Sequence, residues 1–324
     1  MGRIIMRSVS SKVIFHRIIL IQSVFVFLLS SGCAITPEKY NKLGMAFNNE
    51  GKYDKAILEY NRAIKANPLY AEAFFNRGRA YGRLRQYNRA IMDFTKVLQI
   101  YPMYAEAYNN RGAAYGAKGQ YEQAFADFSK ALEINPKYDE AYVNRGLVYF
   151  DKGQYNHAIM DYSKAISLNQ KFAEAYCNRG AAYNVIDECD KAIPDFNRAI
   201  LLNPNYAEAY FNRGRSYAIK GQYVAAIADY SKAIDINDNY TRAYYYRGRA
   251  YGVKAEYDKA ITDFSRVIAI NSRDGEAYCN RGVAYAGKRQ FDKAWEDVNK
   301  AVNLGHQIPR DFLRALRAAS GKEG

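Results

Sequence analysis

Side chains that could carry out catalysis or bind a metal are few in this sequence. Its 324 residues include three histidines and four cysteines. His16 lies in an apolar leader, His157 within a helical pattern and His306 near a turn. No metal pair or nucleophile–base dyad can be assembled from them. We therefore expect no catalytic residue, no bound metal, no cofactor and no small-molecule substrate.

Charged residues recur at a fixed spacing that suggests ion pairing rather than catalysis. Seven arginines are spaced by 34 residues, and an aspartate follows each of them 16 residues later. The arginines are Arg77, Arg111, Arg145, Arg179, Arg213, Arg247 and Arg281, and the aspartates are Asp93, Asp127, Asp161, Asp195, Asp229, Asp263 and Asp297. An arginine that faces the interior is tolerated only when it is paired. The spacing predicts a ladder of Arg–Asp pairs, with anion binding by these arginines as the alternative.

The elements that position these residues follow the same 34-residue period. We number the residues of each period from 1 to 34, with the first period beginning at residue 37 and the second at residue 71. An aromatic residue usually stands at positions 4 and 11, glycine at position 8 and alanine at position 20. Positions 4, 8 and 11 share one face of a first helix, and positions 17, 20, 24 and 27 share one face of a second. The sequence therefore predicts eight helical hairpins, at residues 37–70, 71–104, 105–138, 139–172, 173–206, 207–240, 241–274 and 275–308.

This pattern resembles the tetratricopeptide repeat (TPR) family over residues 37–308. The resemblance implies an all-α, right-handed α-solenoid of eight 34-residue hairpins. Because a stack of repeats must end in an atypical cap, we expect residues 309–324 to supply a capping helix and tail. Unit five departs furthest from the pattern, and Pro194 within its second helix predicts a kink.

In the TPR family the first helices line a concave groove, which positions 2, 5, 6, 9, 12 and 13 face. Position 6 is asparagine in six units: Asn76, Asn110, Asn144, Asn178, Asn212 and Asn280. An amide both donates and accepts hydrogen bonds, so such a column could pair with the backbone of an extended peptide. The alternative is a structural hydrogen bond between units.

Positions that vary between units are expected to select the partner. They include the arginines Arg79, Arg83, Arg215 and Arg249, and the apolar or aromatic residues Phe75, Phe211 and Tyr245. Arginine beside an apolar pocket suits a peptide that carries acidic groups and hydrophobic anchors. The groove is therefore predicted to bind proteins or peptides, acidic ones among them.

Residues 1–32 have the layout of a signal peptide, with basic residues, no acidic residue and an apolar run too short to span a bilayer. The run ends in Ser30, Ser31, Gly32 and Cys33, which resembles the lipobox of bacterial lipoproteins. Leu29 stands four rather than the usual three residues before Cys33. We expect lipid attachment at Cys33, with residues 33–36 as a tether, and an outer membrane lipoprotein that faces the periplasm. The alternative is a soluble periplasmic or secreted protein.

Composition and charge narrow the function further. The chain is 49% hydrophobic and 25% charged, as in ordinary folded proteins, and its formal net charge is +14. Nearly all of its 31 tyrosines fall at repeat core positions, so they do not indicate nucleic-acid binding. The sequence predicts a non-enzymatic scaffold in cell-envelope assembly or secretion. The alternative is a protein that binds an anionic polysaccharide or wall polymer.

Overall fold

A computed structural model describes residues 36–321 of the chain. Those residues form seventeen α-helices and no β-strand, which confirms the predicted all-α fold of consecutive hairpins. The chain divides into two compact units, one that ends at Gln170 and one that begins at Lys171. The expected signal peptide and Cys33 lie outside the described residues.

The first unit contains four hairpins, in which odd-numbered helices are the first helices and even-numbered helices the second. Its helices are α1 (Pro37–Asn49), α2 (Tyr53–Ala66), α3 (Ala71–Arg83), α4 (Tyr87–Ile100), α5 (Ala105–Ala117), α6 (Tyr121–Ile134), α7 (Asp139–Asp151) and α8 (Tyr155–Leu168). Each second helix packs against its own first helix, and α2, α4 and α6 also pack against the first helix of the next hairpin. The hydrophobic core therefore runs through the stack instead of closing within one hairpin.

The second unit repeats this arrangement and ends in an additional helix. Its helices are α9 (Ala173–Val185), α10 (Cys189–Leu202), α11 (Ala207–Ile219), α12 (Tyr223–Ile236), α13 (Thr241–Val253), α14 (Tyr257–Ile270), α15 (Gly275–Gly287), α16 (Phe291–Asn303) and α17 (Arg310–Ser320). First helices again carry odd numbers. Within this unit, each second helix from α10 to α14 contacts the following first helix.

Small residues allow the two helices of a hairpin to cross closely. Ala158 of α8 is fully buried where α8 crosses α7. A Cβ atom placed on Gly146 of α7 would lie 2.6 Å from Cε1 of Tyr162, closer than real Cβ contacts permit. Glycine at position 8 thus leaves room for the aromatic ring at position 24, which fills the centre of the hairpin.

Helix α10 continues through Pro194 from Cys189 to Leu202, so the proline does not end the helix, and the kink stays a prediction. The proline lies on the exposed side of α10. The carbonyl that loses its helical hydrogen bond there can bind water. Asp187, which replaces the usual turn glycine of this hairpin, keeps a left-handed φ of 60° that aspartate tolerates.

Helix α17 caps the last hairpin, as expected from the sequence. Leu316 of α17 is buried against Trp295 and Val298 of α16, and Phe312 packs at the edge of the same cluster. The indole Nε1 of Trp295 donates a hydrogen bond to Oγ of Ser320, at 3.1 Å. The cap covers apolar surface that a further hairpin would otherwise cover.

Candidate functional site

The seven arginines at position 7 and the seven aspartates at position 23 form the predicted ladder. Each pair lies within one hairpin, with Nε 2.8 Å from Oδ2 and Nη2 2.6–2.8 Å from Oδ1. The aspartates are only 3–6% exposed. Burial raises the pKa of Asp93, Asp127 and Asp263 although their arginine partners oppose the shift. Desolvation is therefore substantial, and the paired geometry is what makes these buried charges tolerable.

The ladder arginines have few donors left for a ligand. Arg145, for example, lies between the rings of Tyr142 and Tyr149, 5.7 and 5.9 Å from their centroids. Ladder arginines also donate from Nη1 to a hydroxyl or amide oxygen at position 25 of the preceding hairpin, as Arg111 does to Thr95 at 3.1 Å. These contacts favour the structural role of the ladder over anion binding.

The first hairpin has no arginine at position 7, and this changes the surroundings of its position-23 residue. Glu59 is buried and accepts a hydrogen bond through Oε1 from Nη1 of Arg62, at 2.6 Å. Its other oxygen, Oε2, is buried without a partner among the described residues. The first hairpin therefore lacks the bidentate pairing that the other hairpins share.

The asparagines at position 6 mostly bond to the preceding hairpin, which was the alternative interpretation. Nδ2 of Asn76 donates to Oδ1 of Asn41 at 3.1 Å, and Nδ2 of Asn144 donates to Oδ1 of Asn109 at 3.0 Å. Asn144 is fully buried, so its predicted contact with a peptide is wrong.

The remaining position-6 asparagines lie in mixed surroundings. Asn280 donates to the Tyr245 hydroxyl at 3.2 Å, and Asn212 hydrogen-bonds the thiol of Cys177. Both partners stand at position 5 of the preceding hairpin. Asn212 is itself buried, whereas Asn178 and Asn110 are half-buried. Asn110 donates to the backbone oxygen of Glu106 within its own helix. The column therefore mainly connects neighbouring hairpins.

Two residues predicted as hydrophobic anchors belong to the core instead. Phe75 is 8% exposed and packs against Phe94 and Tyr104, with ring centroids 5.7 and 5.2 Å away. Phe211 is fully buried. Neither ring is available to a partner, because the neighbouring hairpin covers it. Tyr245 is half-buried and donates its hydroxyl hydrogen to Glu276 of the next first helix.

The arginines at position 9 differ from those of the ladder. Arg79 of α3 is half-buried with its guanidinium 6.0 Å from the Phe75 ring, and Arg83 is exposed one turn further along the same helix. Arg215 of α11 and Arg249 of α13 lie 5.8 and 6.0 Å from the centroid of one ring, that of Tyr246. Two predicted residues are thus brought together there.

Two members of this arrangement, Tyr246 and Arg242, were missed by the sequence reasoning. Arg242 lies 4.8 Å above the Phe211 ring. The signal was present, because position 2 is glutamate in the other seven units and position 6 is asparagine in six of them. Both departures from the repeat are therefore visible in the sequence, four residues apart on one helix.

Within residues 36–321, no helix is long and apolar enough to cross a membrane. In the same part of the chain, no three His, Cys, Asp or Glu side chains are grouped so that they could hold a metal ion. Cys33 is not among the described residues, so the predicted lipid attachment stays a prediction.

Comparisons with known proteins return repeats of one kind. An uncharacterized protein from Methanocaldococcus jannaschii is 42% identical over 40 residues, which span 12% of this chain and 46% of that protein. A tetratricopeptide repeat protein from Parabacteroides merdae has a similar structure, with a TM-score of 0.60 and 23% identity, covering 76% of this chain and 98% of that one. The Cut9–Hcn1 hetero-tetramer of APC/C gives a TM-score of 0.63 at 14% identity, covering 94% of this chain and 60% of that one. At these identities both likenesses show the fold alone.

Profiles of the repeat itself match most of the described chain. Profiles described as tetratricopeptide repeat match residues 71–104, 105–138, 128–160, 173–206, 207–240 and 275–304. A profile described as TPR repeat matches residues 44–84 and 146–184. Together with the hairpins and their shared core, these matches show that the chain belongs to the tetratricopeptide repeat family.

Proposed function

We propose that this protein is a non-enzymatic scaffold that binds peptide segments of partner proteins on the surface of its first helices. The observation that supports this proposal most directly is the contrast between two sets of arginines. The ladder arginines donate their N–H groups to aspartates within the fold, whereas Arg79, Arg215 and Arg249 form no ion pair with a described residue. Arginines that the fold does not use, placed beside aromatic rings, suit carboxylate-bearing peptides with apolar side chains.

Affinity capture from membranes tests this proposal. We expect the intact protein to recover specific partners, and a variant with Arg79, Arg83, Arg215 and Arg249 each changed to glutamine to lose most of them. The capture is followed by quantitative mass spectrometry. Recovery of the same partners by both proteins would show that the first-helix surface is not the binding site.

Binding of an anionic polysaccharide or wall polymer is the second candidate, favoured by the net charge of +10 that remains after residues 1–32, with four basic and no acidic residues, are removed. Ionic strength separates the two. Polymer binding through many charge contacts weakens steeply as salt increases, whereas a peptide site with apolar contacts weakens less. The captures are therefore repeated at low and high salt with the same two proteins.

We further propose that the protein is attached to the outer membrane through acyl chains on Cys33 and faces the periplasm, in cell-envelope assembly or secretion. Three residues separate Cys33 from Pro37, where α1 begins with Thr36 as its N-cap. At about 3.3–3.6 Å per residue they span about 10 Å, which would place the first hairpin at the lipid headgroups. One acyl chain holds a protein only marginally, so stable attachment requires at least two.

Fractionation of cells tests the anchor. Cys33→Ser should move the protein from the membrane fraction to the soluble fraction, because no thiol remains for lipid attachment. Cys177→Ser is the matched control, since Cys177 is buried in the core and is expected to leave the distribution unchanged. If Cys33→Ser protein stays with the membranes, the proposed attachment is wrong.

A further inference from the structure

The seventh hairpin breaks the repeat pattern along one face of its first helix, α13. Arg242 stands at position 2, where the other seven units have glutamate, and Tyr246 stands at position 6, where six units have asparagine. Position 9 of the same helix is Arg249. Residues four and three apart lie on one side of a helix, so these three side chains share a face.

The preceding hairpin, formed by α11 and α12, completes a group of rings and cations. The Tyr246 ring lies 5.6 Å from the Phe211 ring and 6.2 Å from the Tyr230 ring. Guanidinium carbons of Arg215 and Arg249 lie 5.8 and 6.0 Å from the Tyr246 centroid. Together with Arg242 above Phe211, three guanidinium groups therefore surround one aromatic cluster.

The fold does not neutralise these three cations. Among the described residues, Arg215, Arg242 and Arg249 form no ion pair and donate no hydrogen bond, and their contacts are to aromatic rings. By contrast, Arg213 on the same helix as Arg215 pairs with Asp229. Stacking on a ring holds a guanidinium in place and leaves its in-plane N–H groups free to donate.

Nearby carboxylates are too few to balance the cluster. Glu208 of α11 is exposed, and Glu276 of α15 already accepts a hydrogen bond from Tyr245. In addition, the Tyr230 hydroxyl within the cluster is buried and has no partner among the described residues. The face therefore has a net positive charge and unused hydrogen-bonding capacity.

We propose that Arg215, Arg242, Arg249 and Tyr246 form a subsite that recognises an acidic peptide segment, and this inference rests on the proposed function. The guanidinium carbons of Arg215 and Arg249 lie 5.8 and 6.0 Å from the centroid of one ring, that of Tyr246, which limits how far apart these carbons can be. In an extended peptide, alternate side chains point the same way, about 6.6–6.8 Å apart. A peptide with two carboxylates separated by one residue has a spacing within that limit, and we assign one carboxylate to each guanidinium group.

The choice of a peptide over a polymer follows from how the cluster is built. Arginine forks bind carboxylates in a bidentate manner, and the half-buried ring of Tyr246 offers an apolar contact beside them. Position 9 is arginine in α3, α11 and α13 and in no other first helix, so these cations are not distributed along the whole series of hairpins, and only α11 and α13 are adjacent. Such a local site selects a short segment.

Fluorescence polarisation with a defined probe tests the subsite. The probe is a labelled twelve-residue peptide with two aspartates separated by one residue and a leucine beside them, and its partner peptide has asparagines instead. We expect the aspartate peptide to bind the full chain more tightly. The triple variant Arg215→Gln, Arg242→Gln, Arg249→Gln should weaken that binding about 10- to 100-fold. Tyr246→Asn, which restores the residue of six other units, should also weaken it.

A matched control removes equal charge from the second helices of the sixth, seventh and eighth hairpins. Lys232, Arg266 and Lys300 are exposed on the second helices, at position 26, and their change to glutamine should leave peptide binding within about twofold. Circular dichroism verifies that each variant is folded. Equal weakening by both triple variants would show a general charge effect and overturn the subsite.

Further outcomes separate the subsite from the broader proposal. If the aspartate and asparagine peptides bind equally, or neither binds, the acidic specificity is refuted, while membrane capture still tests peptide binding elsewhere on the first helices. Polygalacturonate serves as an anionic polymer probe. If it binds more tightly than the aspartate peptide and loses affinity in the same triple variant, the site belongs to a polymer and the peptide assignment is wrong.

Discussion

Replacing Asp161 by alanine should lower the free energy of unfolding by about 3 to 5 kcal/mol. Asp161 is 6% exposed and accepts two hydrogen bonds from Arg145, each 2.8 Å long. The substitution leaves a guanidinium between two tyrosine rings without its counter-charge, and water reaches it only in part. Urea denaturation followed by circular dichroism measures the loss.

Two further variants separate a buried pair from a general loss of charge. Glu133→Ala removes an exposed ion pair with Lys130, at 2.8 Å, and should leave the free energy of unfolding almost unchanged, because solvent screens this pair. Changing both Arg145 and Asp161 to leucine should cost less than Asp161→Ala, because no unpaired charge stays buried. A loss for Asp161→Ala no larger than that for Glu133→Ala would contradict this account.

Replacing Trp295 by alanine should cost about 3 to 5 kcal/mol, comparable to the Asp161 change. Trp295 is 8% exposed, packs against Leu316 of the cap and is the only tryptophan of the chain. Alanine would leave a cavity between α16 and α17 and remove the hydrogen bond to Ser320. Thermal unfolding followed by circular dichroism is suitable, since the variant has no tryptophan fluorescence.

The control for Trp295 is a large residue that the fold does not bury. Tyr101 is 58% exposed, and its change to alanine should stay within about 0.5 kcal/mol. In a chain that ends at Gly305, Trp295→Ala should cost less than in the full chain, because the cap that covers the indole is already absent. Equal costs in the two chains would mean that α17 does not stabilise α16.

Much of the fold could be predicted because the same evidence is repeated along the chain. The same residue types recur at positions 4, 8, 11, 17, 20 and 24 from one hairpin to the next, so a single departure such as Cys189 does not obscure the pattern. The Arg–Asp pairing was predictable for a related reason. A buried charge requires a partner, and a spacing of 16 residues brings position 7 opposite position 23 in a helical hairpin.

The candidate site was less predictable, because its side chains depend on contacts between hairpins. Phe211 and Tyr245 both stand at position 5, yet the first is buried and the second half-buried. The difference arises from the rings of Tyr240 and Tyr246, which cover Phe211. No property of Phe211 itself indicates this cover. The role of Asn144 was hidden similarly, since its partner Asn109 lies in the preceding hairpin.

The third hydrogen bond of the ladder arginines also governs how each unit would come apart when pulled. Arg247, for instance, holds Asp263 of its own hairpin and Ser231 of the one before it. A hairpin that detaches must therefore break a bond to its neighbour as well as its own. Stretching by force should extract whole hairpins in even steps, each releasing 34 residues, or about 120 Å of extended chain.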